Sequence, residues 1–235
     1  MRTHRSGNTG IGKTLEDLLG IEENNIPGPD GAMIELKSSR KSATSMMSLF
    51  TKSPLPKSAN TELVQEYGYV TPKSRKKKVL HTTVSAIDYN TLRGKVGFKI
   101  DIKESRIELV ARSLHGESLN DFGGLSKGET EGRKVMGYWD KETLKSAFET
   151  KLPRLLFVRA DSRGDGAQED FWYNEAWLLS GFSFEGFLTL LRDGKILTDV
   201  RIGQYADGRG HDHGTCFRVR QANLDICFAE RDRIV

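Results

Sequence analysis

A glutamate and a lysine two residues apart on an extended chain share one face, and a second carboxylate beside them completes a cradle for a divalent cation and an attacking water. That arrangement suits metal-dependent phosphodiester hydrolysis. Four acid-x-lysine triplets occur in this sequence, at Glu35–Lys37, Asp101–Lys103, Glu149–Lys151 and Asp193–Lys195, and their surroundings separate them. Asp193, Gly194 and Lys195 read as a turn, and Glu149–Lys151 closes a predicted helix, where charge pairs ordinarily decorate a surface. Asp101–Lys103 lies on a predicted strand, but Glu104 and Arg106 beside it have the character of a solvent face. Around Glu35–Lys37, period-two alternation sets Ala32, Ile34 and Leu36 on one face and Met33, Glu35 and Lys37 on the other. Upstream, Pro29 fixes a turn that presents Asp30, and Gly31 lets the chain reverse, so Asp30 is expected beside Glu35. Glu16, on a short predicted helix, lies opposite Leu15, Leu18 and Leu19 or at their edge and is a further candidate. An exposed strand with an ordinary Glu–Lys pair is the competing reading of the segment.

The elements that must position these groups are a helix, strands and a loop. A helix is predicted to begin near Thr14, whose hydroxyl would cap it, and to stop at Gly20. A loop over 24–30 with two prolines follows, then strands over 32–37 and 46–50 and a helix over 61–67. Further strands are predicted over 79–84, 96–102, 106–111, 155–159, 171–178, 196–202 and 215–220, with helices over 141–151 and 184–191. Helices and strands are interspersed without regular alternation, which predicts an α/β (α+β) fold with a mixed central β-sheet flanked by helices.

The stretch GNTGIGKT over 7–14 fits the phosphate-loop pattern, which would make the chain a nucleotide hydrolase. That loop works because a buried strand delivers it, and only six residues precede Gly7. The alternative is a glycine-rich approach to a helix facing a nucleic-acid backbone.

A second informative segment runs from Arg201 to Arg220, where Arg201, Arg209, His211, Asp212, His213 and Arg218 surround four glycines. Arginine suits bidentate contact with guanine and aspartate accepts from cytosine, so the segment has the composition of a G·C reader. A strand-surface arginine is the bland reading of Arg201. His211 and His213 also have the spacing to bind a metal, although no third ligand is evident.

The chain of 235 residues has a net charge of +4, and its excess is N-terminal: residues 1–80 hold 13 basic and 8 acidic side chains. The run KSRKKK over 73–78 is either a phosphate-backbone contact or a solvated loop. With 37% hydrophobic and 29% charged residues, wholesale disorder is excluded, and no apolar run approaches a membrane span. No apolar region follows the basic N-terminal residues, so no secretory signal is expected and the expected compartment is the cytoplasm. Cys216 and Cys227 form no CxxC pair, which argues against a disulfide framework or structural zinc.

Five blocks, in order, carry a resemblance to a known family: GNTGIGKTLEDLLG over 7–20; Pro29 and Asp30 with IELK over 34–37; LFTKSP over 49–54; DVRIG over 199–203 with Tyr205; and HDHGTCFR over 211–218. They resemble the MvaI/BcnI type II restriction endonucleases, relatives of the MutH nicking enzyme in the PD-(D/E)xK superfamily. The resemblance implies that fold, of MutH type, in a single nuclease unit over 1–235 with a catalytic lobe over about 1–160 and recognition elements over about 161–235. It implies Asp30 and Glu35 as ligands of Mg²⁺ with the Leu36 carbonyl, Lys37 as the residue that activates water, and Glu16 as a supporting acid. The products would be a 5′-phosphate and a 3′-hydroxyl, without a covalent intermediate. Arg201 and Arg218 would read guanines, with Thr51, Lys52, Arg209, His211, Asp212, His213 and Cys216 as further contacts to double-stranded DNA. Thr51 and Cys216 stand where the CCSGG-reading branch carries histidines, so this chain is more similar to the CCWGG branch, cut after the second C by a monomer. A cognate DNA methyltransferase is implied as a genetic, not a physical, partner. A strand- or mismatch-specific nicking enzyme of MutH type and a DNA-binding module that has lost catalysis are the neighbouring readings.

Overall fold

The structure is a computed structural model that describes residues 1–21, 34–74, 76–113 and 132–235. In chain order the elements are α1 (Gly10–Leu18), β1 (Glu35–Arg40), β2 (Met46–Thr51), α2 (Ala59–Tyr67), β3 (Tyr69–Val70), β4 (Lys78–Val84), β5 (Val96–Ile102), β6 (Arg106–Ser113), β7 (Arg133–Asp140), α3 (Lys141–Lys151), β8 (Arg154–Arg163), β9 (Asp170–Ser180), α4 (Phe184–Arg192), β10 (Ile196–Gln204), β11 (Gly210–Asp212), β12 (Cys216–Arg220) and β13 (Glu230–Arg233). The mixed α/β class read from the sequence is borne out, with the described strands distributed over three sheets. Asp30 and the turn around it lie outside the described residues.

The chain divides into two compact units. The first comprises Met1–Met46, Phe148–Gly186 and Arg220–Val235. Its sheet has the order β1-β8-β9-β13, in which β1 and β8 are parallel and the other pairs antiparallel. Helix α1 covers this sheet because its apolar positions recur at helical spacing: Leu15 packs with Leu36 and Val158, and Ile11 with Ala160 and Phe171. A second aromatic group joins Phe148, Phe182, Phe184 and Phe228.

Helix α1 starts at Gly10 rather than near Thr14, and the reason is steric. A Cβ at position 10 would overlap the Arg5 carbonyl oxygen and fall 2.6 Å from Thr3 Oγ1, so only glycine lets the first turn lie so close to the preceding chain. Thr14 is thereby placed inside the helix, fully buried, where its hydroxyl accepts the His4 N–H at 2.9 Å. The predicted stop holds: Gly20 takes φ +68, and its N–H returns to the Asp17 carbonyl. Strand β1 continues past Lys37 to Arg40 because β8 offers a parallel partner throughout, from Glu35 opposite Leu155 to Arg40 opposite Ala160.

The second unit comprises Met47–Ala147 and Phe187–Val219. Its larger sheet has the order β2-β12-β10-β4-β3, with β11 paired to β10, and its smaller sheet is the meander β5-β6-β7. Phe50, Phe187, Phe217 and Trp139 stack into the core behind β12 and β2. Among the described residues no helix is long and apolar enough to cross a membrane.

Candidate active site

Parallel pairing with β8 places Leu36 under α1, so its neighbours Glu35 and Lys37 share the opposite face of β1. Glu35 is 4% exposed, and such a carboxylate keeps its charge only when partnered. Lys37 Nζ donates to Oε1, and Lys151 Nζ, from the end of α3, reaches Oε2 at 3.3 Å. The competing picture of an exposed strand with a surface ion pair is thus excluded, because the acid is buried. Lys151 was discounted in sequence as helix-end decoration. It becomes a contact because α3 ends immediately before β8, the strand that pairs with β1.

Glu16 and Lys37 line one cavity of about 320 Å³, together with Gly12, Lys13, Leu36 and Ser38. The cavity lies where α1 crosses β1. Gly12 keeps it open: an added Cβ would stand 3.8 Å from Ser38 Oγ and 4.0 Å from Glu16 Oε1, filling the space that these two groups flank. Ser38 Oγ is buried without a hydrogen-bond partner among the described residues. An orphaned hydroxyl and the Glu16 carboxylate flanking Gly12 are hard oxygen donors, which fit a small divalent cation or its water. Among the described residues no three His, Cys, Asp or Glu side chains close around one point. The described acids therefore do not by themselves enclose a cation.

The phosphate-loop match is not built as one. Residues 10–14 are helical, Lys13 Nζ donates to Asp17 at 2.6 Å, and Thr14 is buried. Asp17 is held below the usual carboxylate range by its hydrogen bonds to Lys13 and His4.

In the second unit, alternation along β10 turns Thr198, Val200 and Ile202 into the core and Asp199, Arg201 and Gly203 to the other face. The registers of β4 and β12 set Thr83 and Cys216 opposite Asp199, and His81 opposite Arg201. Asp199 is 4% exposed, and its Oδ2 accepts both Arg201 Nε and Arg218 Nη1 at 2.7 Å, while Thr83 Oγ1 donates to Oδ1 at 3.0 Å. One buried carboxylate therefore fixes both arginines that were singled out. Asp199 and His81 were not among the residues proposed from sequence. Their signal is visible only once β10 has neighbours, since it lies in cross-strand register.

His213 donates its N–H to the Arg201 carbonyl at 2.8 Å, and its ring lies 4.2 Å from that of His211, which stacks on Tyr205. Asp212 is turned into its own loop: Oδ1 accepts the N–H groups of Gly214 and Thr215, and Oδ2 accepts Ser53 Oγ. Arg209 pairs with Asp207 and is 74% exposed. Thr51 is exposed, and the Lys52 backbone is anchored by Trp139 Nε1 and the Thr215 carbonyl. Cys216 is buried against Ser48 Oγ, and burial pushes its thiol up.

Gly203 is the floor of the histidine pair. A Cβ there would overlap His213 Nε2 and come within 3.0 Å of His211 Nε2. Gly203→Ala is therefore expected to destabilise the fold by about 1–3 kcal/mol, the usual cost of overpacking, as a shift in denaturant midpoint. A midpoint equal to wild type would show that the rings move aside freely.

Burial pushes the pKa of His81 and of His211 down; the charge of Arg201 adds to this for His81, and those of His213 and Lys77 for His211. Both stay neutral in the folded chain at a pH where unfolded histidine, near 6.5, takes up a proton. Their contribution to stability is thus complete above about pH 6.5 and declines as the pH falls below it. The melting temperature should drop on acidification below that point, and less steeply in the His81→Gln, His211→Gln double variant; equal slopes would contradict the linkage.

The sequence profile of the MvaI/BcnI restriction endonuclease family matches residues 1–228. Among solved structures, that titled restriction endonuclease MvaI–cognate DNA substrate complex is 32% identical, covers 100% of this chain and 92% of its own, and superposes with a TM-score of 0.81. The structure of MvaI in the absence of DNA has the same identity and coverage and a TM-score of 0.60. No curated protein gives a significant match.

Proposed function

Because this chain belongs to the MvaI/BcnI restriction endonuclease family, we propose that it hydrolyses double-stranded DNA at CCWGG, after the second C, acting as a monomer with Mg²⁺ in the cytoplasm. The observation that carries this reading is the pairing of buried Glu35 with Lys37 beside a cavity that Glu16 also lines. The first unit is assigned catalysis and the second base reading.

Asp30, Glu35 and the Leu36 carbonyl would hold the cation, which supplies a Lewis acid for the phosphate and lowers the pKa of water. Lys37, whose ammonium donates to Glu35, orients the attacking water and stabilises the negative charge that develops as the water's proton passes to solvent. Lys151, through Oε2, keeps the Glu35 carboxylate aimed, and Glu16 with Ser38 orders the surrounding water. In-line attack then leaves a 5′-phosphate and a 3′-hydroxyl. No side chain forms a covalent intermediate in this scheme.

In the second unit, Arg201 and Arg218 present guanidinium groups already fixed by Asp199, which lowers the ordering cost of bidentate contact with guanine. His211, His213, Arg209 and Lys52 supply contacts around them, and Thr51 and Cys216 flank the central pair. MvaI was solved with its cognate DNA, which supports double-stranded DNA as the substrate here. A DNA methyltransferase of the same specificity would protect the host genome.

Duplexes that differ only at the central pair test the specificity. CCWGG is expected to be cut in Mg²⁺ with CCSGG resisting, and equal cutting of both would overturn the assignment of the central base. In excess substrate a monomer should release nicked plasmid before linear product; concerted linearisation would contradict the monomer.

A further inference from the structure

The basic run over 73–78 has no part in the sites described above, yet the fold puts it at one end of the base-reading strand. Strand β4 begins at Lys78, whose N–H donates to Gln204 Oε1 at 3.1 Å, and Gln204 is the last residue of β10. Val79 then pairs with Gly203, the floor of the His211 and His213 rings. The run thus continues the line Asp199, Arg201, Gly203 beyond its end. The charge of Lys77 is felt at His211.

Both ends of the run are anchored. Residues 72–74 form a 3-10 turn closed by a reciprocal pair, in which the Thr71 N–H donates to Ser74 Oγ and the Ser74 N–H donates to Thr71 Oγ1. Lys78 Nζ donates to the Gln65 carbonyl at 2.7 Å, tying the end of the run to α2. Lys73, Lys76 and Lys77 are exposed, and none forms an ion pair with a carboxylate among the described residues. Three exposed ammonium groups close in sequence, without a carboxylate partner among the described residues, are a counter-surface for a polyanion.

We propose that Lys73, Lys76 and Lys77 bind backbone phosphates of the duplex just outside the recognised base pairs, at the His211 end of the reading face. The inference rests on the DNA reading given above. It assigns to these lysines affinity, register and encounter rate, and no base preference, because phosphate contacts position a duplex and carry no sequence information.

The test is equilibrium binding without divalent metal, by fluorescence anisotropy, of wild type and of the Lys73→Gln, Lys76→Gln, Lys77→Gln triple variant, on a CCWGG duplex and on one lacking the site, across a salt series. Each lost phosphate contact should lower the slope of log affinity against log salt by about 0.9, so a decrease of about 2–3 is expected. The ratio of cognate to non-cognate affinity should stay at its wild-type value. A variant with the wild-type slope would overturn the proposal, as would one whose slope falls and whose ratio is lost with it. Shortening the flank on one side of the site should weaken wild type and leave the variant unchanged; equal weakening of both would also overturn it. Failure of wild type to prefer the CCWGG duplex would instead count against the DNA reading itself.

Discussion

Replacing Lys37 with alanine should lower the rate of DNA cleavage by about 10²–10³-fold, the usual contribution of one preorganised charge-stabilising donor, and leave DNA affinity close to wild type. The ammonium belongs to the reacting face of β1, donates to Glu35 and lines the same cavity as Glu16. It contributes nothing to the face of β10 that would read bases. Loss of Lys37 leaves Glu35 paired with Lys151, so the fold should persist, which circular dichroism and the melting temperature can verify. Lys151→Ala should act differently. It frees one carboxylate oxygen without touching the water, so a smaller loss of rate is expected, together with a changed metal requirement. Cleavage by Lys37→Ala at the wild-type rate would contradict its role.

Asp199→Asn should lower the discrimination between cognate and non-cognate DNA by roughly a hundredfold. The buried carboxylate accepts from two guanidinium groups and one hydroxyl, and the amide keeps its size while losing its charge. Breaking a buried ion pair on one side costs about 3–5 kcal/mol, and the low end applies here because Arg201 is 44% exposed and screened by solvent. About 3 kcal/mol corresponds to roughly a hundredfold in specific affinity. Non-specific binding at low salt should change little, since phosphate contacts dominate it. An unchanged affinity ratio would mean that Arg201 and Arg218 need no clamp.

Much of the fold was legible because local signals and tertiary packing agree. Leu15 and Leu36 follow the periods of a helix and a strand, and both proved to be core. Strand β7 and the short β11 were not anticipated, since β7 lies in a stretch without clean alternation and β11 has three residues. The start of α1 was misplaced by four residues because Thr14 has the side chain of a cap, whereas the close approach of the chain at Gly10 decides the boundary. Glu35 and Lys37 stand out by spacing, and the fold pairs them with the acid buried; the family resemblance is borne out along the chain. Lys151 was missed because 114 residues separate it from Lys37 and only the pairing of β1 with β8 brings it near. Asp199 was missed for a related reason. A lone aspartate on a strand acquires meaning only when β12 and β4 bring Arg218 and Thr83 to it.

The measurement closest to the central claim is digestion of a supercoiled plasmid of known sequence by the wild-type protein, with Mg²⁺ and with chelator, followed by sequencing of the fragment ends. The account predicts breaks after the second C of CCWGG in Mg²⁺ only, each with a 5′-phosphate and a 3′-hydroxyl. A plasmid that stays supercoiled in Mg²⁺, or that is cut equally with chelator present, would contradict it.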